Sequence, residues 1–141
     1  MSKKELEFID CEAAFAWQPV PGEAQGVVEK ILSRDPETGD YTRLLRFPAG
    51  FAGAEVLTHS FWEEVYILDG RLLDIRTGQI FSKGYYACRP PGMVHGPYRA
   101  PEGCMTFETR YTTDDTLLPK VRTKSGGQPG KTTIPHKMSR V

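Results

Sequence analysis

The chain has 141 residues, of which 39% are hydrophobic and 26% are charged, and its formal net charge is zero. This length and composition are typical of one soluble globular domain with a single hydrophobic core. A neutral chain has no overall field that would attract nucleic acid or an anionic membrane, so neither is expected as a partner.

The amino-terminal residues and the cysteines predict a cytoplasmic protein. The opening residues, MSKKELEFID, are charged and lack the apolar segment of a signal peptide. No apolar run approaches the roughly 20 residues that are needed to cross a bilayer. The three cysteines, Cys11, Cys88 and Cys104, are an odd number without CxxC spacing, which indicates reduced thiols and not a disulfide framework.

The first part of the chain predicts a short helix followed by a β-hairpin. Residues 11–17, CEAAFAW, favour a helix, and a loop follows up to residue 25. Residues 27–32 and 41–47 are rich in strand-forming side chains, and RDPETGD between them carries Pro and Gly in turn order. These two segments are therefore expected to pair as a hairpin with a long tip.

The middle of the chain predicts two more strands and a tight turn. AGFAG is expected to be a flexible connector, and AEVLTHS, residues 54–60, is expected to be a short strand. On that strand Glu55, Leu57 and His59 would share one face, because side chains alternate. EEVYILDG then predicts a strand that ends in a tight turn at Asp69-Gly70, from which RLLDIR returns.

Three further stretches complete the predicted fold, at residues 80–92, 93–99 and 104–111. Closely spaced strands without a long amphipathic helix between them predict an all-β domain, an antiparallel β-sandwich or jelly-roll barrel. We therefore divide the chain into an amino-terminal extension (1–25), a barrel domain (26–111) and a carboxy-terminal tail or arm (112–141). The tail is expected either to be disordered or surface-lying, or to pack against a neighbouring subunit through Leu117, Leu118 and Val121.

Residues 84–99, GYYACRPPGMVHGPYR, carry the most specific pattern in the chain. Gly84, five residues, Pro90-x-Gly92, two residues and then His95 match the second motif of the cupin superfamily. Pro fixes φ, and Gly takes backbone angles that other residues avoid, so the corner would aim the histidine into the barrel.

A second stretch, THSFWEEVYILDG, supports the same resemblance. His59, three residues, Glu63, six residues and Gly70 reproduce the second half of the first cupin motif, whose leading histidine is here Leu57. The chain therefore resembles the small single-domain cupins, including the ChrR-like and dioxygenase-type cupins, over about residues 26–111. The resemblance implies a cupin β-barrel.

The resemblance also implies a divalent metal site formed by His59, Glu63 and His95. Two imidazoles and one carboxylate with open positions suit non-haem Fe(II), which we favour, and also Zn(II), Mn(II) or Ni(II). The alternatives are that the two histidines are buried and hydrogen-bonded without a metal, or that Glu64 faces inward. Glu55 is a further candidate ligand or acid/base. The candidate pocket residues are Leu57, Trp62, Arg46, Arg99 and Arg110.

Three functions remain open for such a protein. The first is an Fe(II)-dependent dioxygenase that acts on a small carbonyl compound, a diketone or an aromatic ketone. The second is a metal-dependent isomerase, cyclase or lyase that does not use O2. The third is a ligand-binding or sensory cupin without turnover, similar to the cupin domain of zinc-binding anti-sigma factors. The resemblance also implies a homodimer with a small-molecule ligand.

Overall fold

The computed structural model of the protein describes residues 2–113. Within that range the chain forms one short helix and nine strands. The helix, α1, spans Cys11–Ala14, and the Asp10 side chain caps it by accepting a hydrogen bond from the backbone N–H of Glu12. The strands are β1 (Gln18–Pro19), β2 (Val28–Arg34), β3 (Tyr41–Phe47), β4 (Phe51–Ala52), β5 (Trp62–Asp74), β6 (Ile80–Ser82), β7 (Tyr86–Arg89), β8 (Tyr98–Ala100) and β9 (Cys104–Tyr111).

The strands form two antiparallel sheets that share β5. One sheet has the order β1-β2-β3-β9-β5-β7, and the other has the order β4-β8-β5-β6. The pairing of β2 with β3, in which Arg34 lies opposite Tyr41, confirms the predicted hairpin. The curled antiparallel architecture with almost no helix confirms the predicted all-β class. Among residues 2–113 no helix has the length and apolar character needed to cross a bilayer.

The predicted tight turn at Asp69-Gly70 is wrong, because β5 runs without reversal from Trp62 to Asp74. Its first half pairs with β7 and β9, its second half pairs with β6 and β8, and the register against β9 shifts between Ile67 and Asp69. Gly70 has φ +71°, and a Cβ there would lie 2.2 Å from the carbonyl oxygen of Gly103. A bulge and a hairpin both use a glycine with positive φ, so the dipeptide does not distinguish them.

The predicted strand over residues 54–60 is also wrong. The only ladder pairing within this segment is one isolated bridge, in which the backbone N–H groups and carbonyls of Leu57 and His95 exchange hydrogen bonds of 2.8 and 3.0 Å. A two-residue strand, β4, forms instead inside the predicted connector and pairs with β8. The irregular segment lets the chain turn from β4 into β5, and its single bridge connects it to the loop before β8.

The interior of the barrel contains both an apolar cluster and a set of buried polar side chains. The apolar cluster consists of Val27, Leu45, Phe51, Ile67, Leu72, Ala100 and Cys104. The buried polar set on the cavity side includes Glu63, Arg89, His95, Thr106 and Glu108. Burying charged groups costs free energy unless they are paired, so this polar set marks the position of the candidate site.

The predicted amino-terminal extension packs against the barrel. β1 pairs with β2, and Lys30 of β2 is only 1% exposed. Its Nζ donates to the Glu12 carboxylate at 3.1 Å and lies 5.0 Å from the centroid of the Trp17 ring. The predicted tail or arm lies outside the described residues from residue 114 onward.

Candidate metal centre

Three side chains from separate parts of the chain meet in the interior of the barrel. Glu63 is the second residue of β5, His59 lies in the irregular segment before it, and His95 follows the proline-rich corner after β7. Gly92 at that corner has φ +81°, and its backbone N–H donates to the carbonyl of His59 at 2.8 Å. Together with the Leu57–His95 bridge, this bond holds the two motif segments side by side.

The potential ligand atoms of His59, Glu63 and His95 all lie within 4.8 Å of one another. The separation between His59 Nε2 and Glu63 Oε1 is 3.6 Å, and the two imidazole centroids are 5.1 Å apart with the rings inclined at 64°. Two atoms bound to one transition-metal ion at about 2.1 Å lie roughly 3 to 4 Å apart. The separation of 3.6 Å falls within this range and the bound of 4.8 Å exceeds it slightly, so a small movement of the side chains would bring all three to metal-binding distances.

Backbone carbonyls orient both imidazoles. His59 Nδ1 donates to the carbonyl of Phe61 at 2.9 Å, and His95 Nδ1 donates to the carbonyl of Met93 at 3.2 Å. A carbonyl only accepts, so each Nδ1 carries a proton, and in the neutral imidazole that ligates a metal Nε2 then presents the lone pair. Among the described residues, the buried Nε2 of His59 has no hydrogen-bond partner. A metal ion would satisfy this orphaned acceptor, so the residues fit a bound cation.

A stack of side chains supports His59 from behind. The His59 and Phe61 rings are parallel within 1° at a centroid distance of 4.0 Å. The guanidinium carbon of Arg110 lies 4.0 Å from the centroid of the Phe61 ring. Arg110 therefore acts on the site indirectly, by holding the ring against which the imidazole packs.

His95 is in the protonation state that metal binding requires. Burial lowers the pKa of this imidazole below its ordinary value, and the positive charge of Arg89 lowers it further, whereas the hydrogen bond to Met93 opposes the shift. The neutral imidazole is the form that ligates a metal. His95 is therefore neutral around pH 7.

An arginine that the sequence analysis did not identify lies beside the ligand carboxylate. Arg89, on β7, pairs across the sheet with Glu63, and its Nη1 donates to Glu63 Oε1. Its Nη2 donates to the hydroxyl of Tyr98 at 3.1 Å. The side chains of Arg89 and Glu63 are only 11% and 9% exposed. The residue immediately precedes Pro90 in the motif, but only the strand register shows what it contacts.

His59, Glu63 and His95, which we call the triad, line a cavity of about 480 Å³. Its polar lining includes the triad, Arg89, Arg43, Thr106 and Glu108, and its apolar lining includes Val20, Val27, Leu45, Phe51 and Leu72. The volume and the largely apolar wall with a few polar groups are typical of small-molecule sites.

A second polar cluster lines the same cavity. Arg43 donates to Glu29 at 2.7 Å through Nη1 and to Glu108 at 2.8 Å through Nη2. Thr106 donates to the other oxygen of Glu108 at 3.0 Å. Burial raises the pKa of Glu108, and the opposing effect of Arg43 does not cancel the shift. Arg43 is thus paired with Glu29 as well as with Glu108 inside its own cluster.

The other predicted site residues are divided between the cavity and the outer surface. Glu55 and Leu57 line the cavity, but Glu55 is not among the three grouped ligand side chains. Glu64 points away from the triad and accepts a hydrogen bond from Tyr86 on the outer face. Contrary to expectation, four candidate pocket residues do not line the cavity: Trp62 stacks on Tyr111, Arg46 lies over Trp17, Arg110 lies behind Phe61 and Arg99 is exposed on β8.

A family comparison covers nearly all of the residues that the structure describes. The sequence matches the family model described as the ChrR Cupin-like domain over residues 6–113, a range that includes the amino-terminal segment packed against β2. No curated protein matches the sequence.

Several solved structures share the fold. An RmlC-like cupin from Shewanella frigidimarina NCIMB 400 has a TM-score of 0.63 and 18% identity, over 84% of this chain and 100% of that chain. An acetylacetone dioxygenase from Acinetobacter johnsonii has a TM-score of 0.59 and 21% identity, over 80% of each chain. KdgF from a Halomonas species has a TM-score of 0.58 and 21% identity, over 79% of this chain and 100% of that chain. At these identities the likeness shows the fold and does not extend to an activity.

Proposed function

Because this chain belongs to the ChrR cupin-like family, we propose that it is a metal-binding cupin and that it works as a non-haem Fe(II)-type dioxygenase on a small carbonyl compound. The observation that carries the proposal is the convergence of His59, Glu63 and His95, together with the buried Nε2 of His59, which has no hydrogen-bond partner among the described residues. Two histidines and one carboxylate with open positions are the donor set of many non-haem iron oxygenases. The substrate class is a diketone or an aromatic ketone.

The residues of the chain have separate roles in this proposal. His59 and His95 would hold the metal through Nε2, while their Nδ1–H groups remain fixed by backbone carbonyls. Glu63 would supply the negative charge that favours a divalent cation. When bound, Fe(II) supplies a Lewis acid for the substrate oxygen and electrons for O2. The apolar wall of the cavity would bind the hydrocarbon part of the substrate and limit the entry of water.

The fold of the acetylacetone dioxygenase from Acinetobacter johnsonii supports the choice of reaction and substrate class. Its resemblance concerns the fold alone, so the activity is our proposal for this chain. The cavity of about 480 Å³ has room for a small ketone or diketone.

Metal analysis and oxygen uptake test this function directly. The protein is purified without a chelating tag, its metals are counted, and O2 consumption is followed after anaerobic loading with Fe(II) and addition of acetylacetone. We expect one iron per chain and substrate-dependent O2 uptake. Glu63→Gln should lose both, whereas Glu64→Gln, its neighbour on the outer face of the same strand, should retain both.

The same measurements separate the remaining alternatives. Loss of substrate without O2 uptake would show a metal-dependent isomerase or lyase. Metal binding without turnover of any ketone would favour the third function, a ligand-binding or sensory cupin. That candidate is supported by Leu57, which lines the cavity at the position where the first cupin motif has another histidine ligand.

We also propose that the protein functions as a cytoplasmic homodimer. Its three cysteines are unpaired, in keeping with a reducing compartment. On the outer face of the β5 sheet, Tyr66 lies between Tyr86 and Phe107, and the three side chains are 44%, 59% and 37% exposed. An apolar row of this kind suits a subunit interface, and Tyr66→Lys should shift the sedimentation of the protein toward that of a monomer.

A further inference from the structure

Arg89 is a buried residue that lines the cavity, and its hydrogen-bonding capacity is not exhausted. A guanidinium carries five N–H donors. Within residues 2–113 Arg89 donates once to Glu63 through Nη1 and once to Tyr98 through Nη2. The side chain lines the same cavity as the metal-binding triad. Its remaining donors are therefore available to a molecule bound there.

The charges around the triad show which kind of molecule would be favoured. Glu63 and Arg89 carry opposite charges, and the two histidines are neutral ligands, so their sum is zero. A bound divalent cation would raise that sum to two positive charges beside an apolar wall. Buried charge of this size is costly unless a counter-charge accompanies it.

Among residues 2–113, the other acidic groups that line the cavity offer only a weakened counter-charge. Glu29 and Glu108 share the single positive charge of Arg43, and burial raises the pKa of Glu108, which lowers the negative charge that this cluster carries. Glu23 and Glu55 line the cavity but are exposed to solvent, which weakens their electrostatic effect. A ligand that enters the loaded site therefore gains most when it brings a negative charge of its own.

We propose that Arg89 forms an anion subsite beside the metal centre, and that the cavity takes a small organic monoanion, a carboxylate or an enolate, whose charge lies against the guanidinium. This inference rests on the proposed function, because the counter-charge is needed when the metal is bound. Planar anions with two oxygens match the guanidinium fork better than neutral carbonyl groups do. In the metal-free protein Glu63 occupies part of this subsite.

Calorimetry on Zn(II)-loaded protein tests the subsite without turnover, because zinc has no redox chemistry. Pyruvate is compared with methyl pyruvate, and acetylacetone is compared with its C3-dimethylated derivative, which has no C3 hydrogen and therefore cannot form the delocalised enolate. We expect the anion-forming member of at least one pair to bind about 10- to 100-fold more tightly, the range for a hydrogen bond to a charged group. A preference for pyruvate identifies a carboxylate subsite, and a preference for acetylacetone identifies an enolate subsite.

Two arginine variants assign the preference to Arg89. Arg89→Met should abolish it while the zinc stoichiometry stays at one per chain. Arg99→Met, the same change at an exposed position on β8, should leave it intact. A preference that survives in Arg89→Met, or no preference in either pair, overturns the proposal.

A metal-free measurement separates this inference from the proposed function. If the wild-type protein takes up no metal, the proposed function fails, but Glu63→Gln still frees Arg89 from its carboxylate partner. The folded metal-free Glu63→Gln protein should then bind pyruvate, and the double variant Glu63→Gln/Arg89→Met should not. Circular dichroism checks that both variants are folded. If the folded Glu63→Gln protein shows no pyruvate binding that depends on Arg89, the anion subsite is refuted independently of the proposed function.

Discussion

Replacing Arg89 with methionine should lower the free energy of unfolding of the metal-free protein and raise its affinity for a metal. Arg89 and Glu63 are 11% and 9% exposed, so removing the guanidinium leaves a buried carboxylate without its partner. Breaking a buried ion pair in this way costs about 3 to 5 kcal/mol. We expect the free energy of unfolding of the metal-free variant to fall by that amount.

The same change should lower the free energy of unfolding of the metal-bound protein much less. A divalent cation at the triad would replace the lost positive charge next to Glu63, and the remaining loss is the hydrogen bond to Tyr98, about 1 kcal/mol. The difference between the two losses, roughly 2 to 4 kcal/mol, must appear as tighter metal binding, because each 1.4 kcal/mol is a tenfold change. Arg89→Met should therefore bind Zn(II) at least about 30-fold more tightly than wild type.

Two measurements check this reasoning. Urea unfolding of the chelator-treated protein gives the stability of the metal-free state, and competition with a chromophoric chelator gives the Zn(II) affinity. Arg99→Met serves as the control and should change neither quantity by more than the error. If Arg89→Met bound Zn(II) more weakly than wild type, the role of Arg89 would be to position Glu63, and the charge argument would be refuted.

Three other predictions follow from the fold and from the histidines. Gly70→Ala should destabilise the protein by at least about 2 kcal/mol more than Gly78→Ala, because both glycines have φ +71° but only Gly70 faces a carbonyl oxygen, at 2.2 Å from an added Cβ. Equal unfolding midpoints in urea would contradict the close approach of Gly70 to Gly103 at the bulge in β5. The depressed pKa of His95 means that the unfolded chain takes up a proton at a higher pH than the native protein does, so the free energy of unfolding of the metal-free protein should fall as the pH falls below about 6.5 toward the native pKa. His95→Gln should flatten this part of a plot of unfolding free energy against pH, and an unchanged slope would show that other groups cause the fall. Phe61→Leu removes the ring stacked at 4.0 Å on His59 and should lower Zn(II) affinity about 10-fold, measured by chelator competition, while leaving one zinc per chain at saturation; unaltered affinity would mean that the stack does not orient the imidazole.

Local patterns in the sequence were sufficient for much of the secondary structure. β3 and β9 coincide with the predicted segments YTRLLRF and CMTFETRY, because strand-forming side chains run between clear turn residues there. Asp69-Gly70 misled the prediction because its positive-φ glycine suits a turn and a bulge equally well. The difference lies in the pairing of β5 with β9, which continues past Asp69 and Gly70 although β9 is distant in sequence.

The motif spacings also bring together the candidate site. The distance from His59 to Glu63 and the corner before His95 are local features, and they predict the three side chains that the structure groups within 4.8 Å. The predicted pocket arginines do not line the cavity, because composition shows that an arginine is present but not toward which face of a strand it points.

By itself, the sequence determined the all-β class, most strand positions and which three side chains are grouped as potential metal ligands, since these depend on short-range alternation, turn chemistry and fixed spacings. Only the tertiary structure decided that Arg89 faces Glu63, that Arg110 supports the stack behind His59 and that Trp62 lies outside the cavity. The physical reason is that strand register joins residues far apart in the chain, and a shift of one residue would turn each side chain to the opposite face of the sheet.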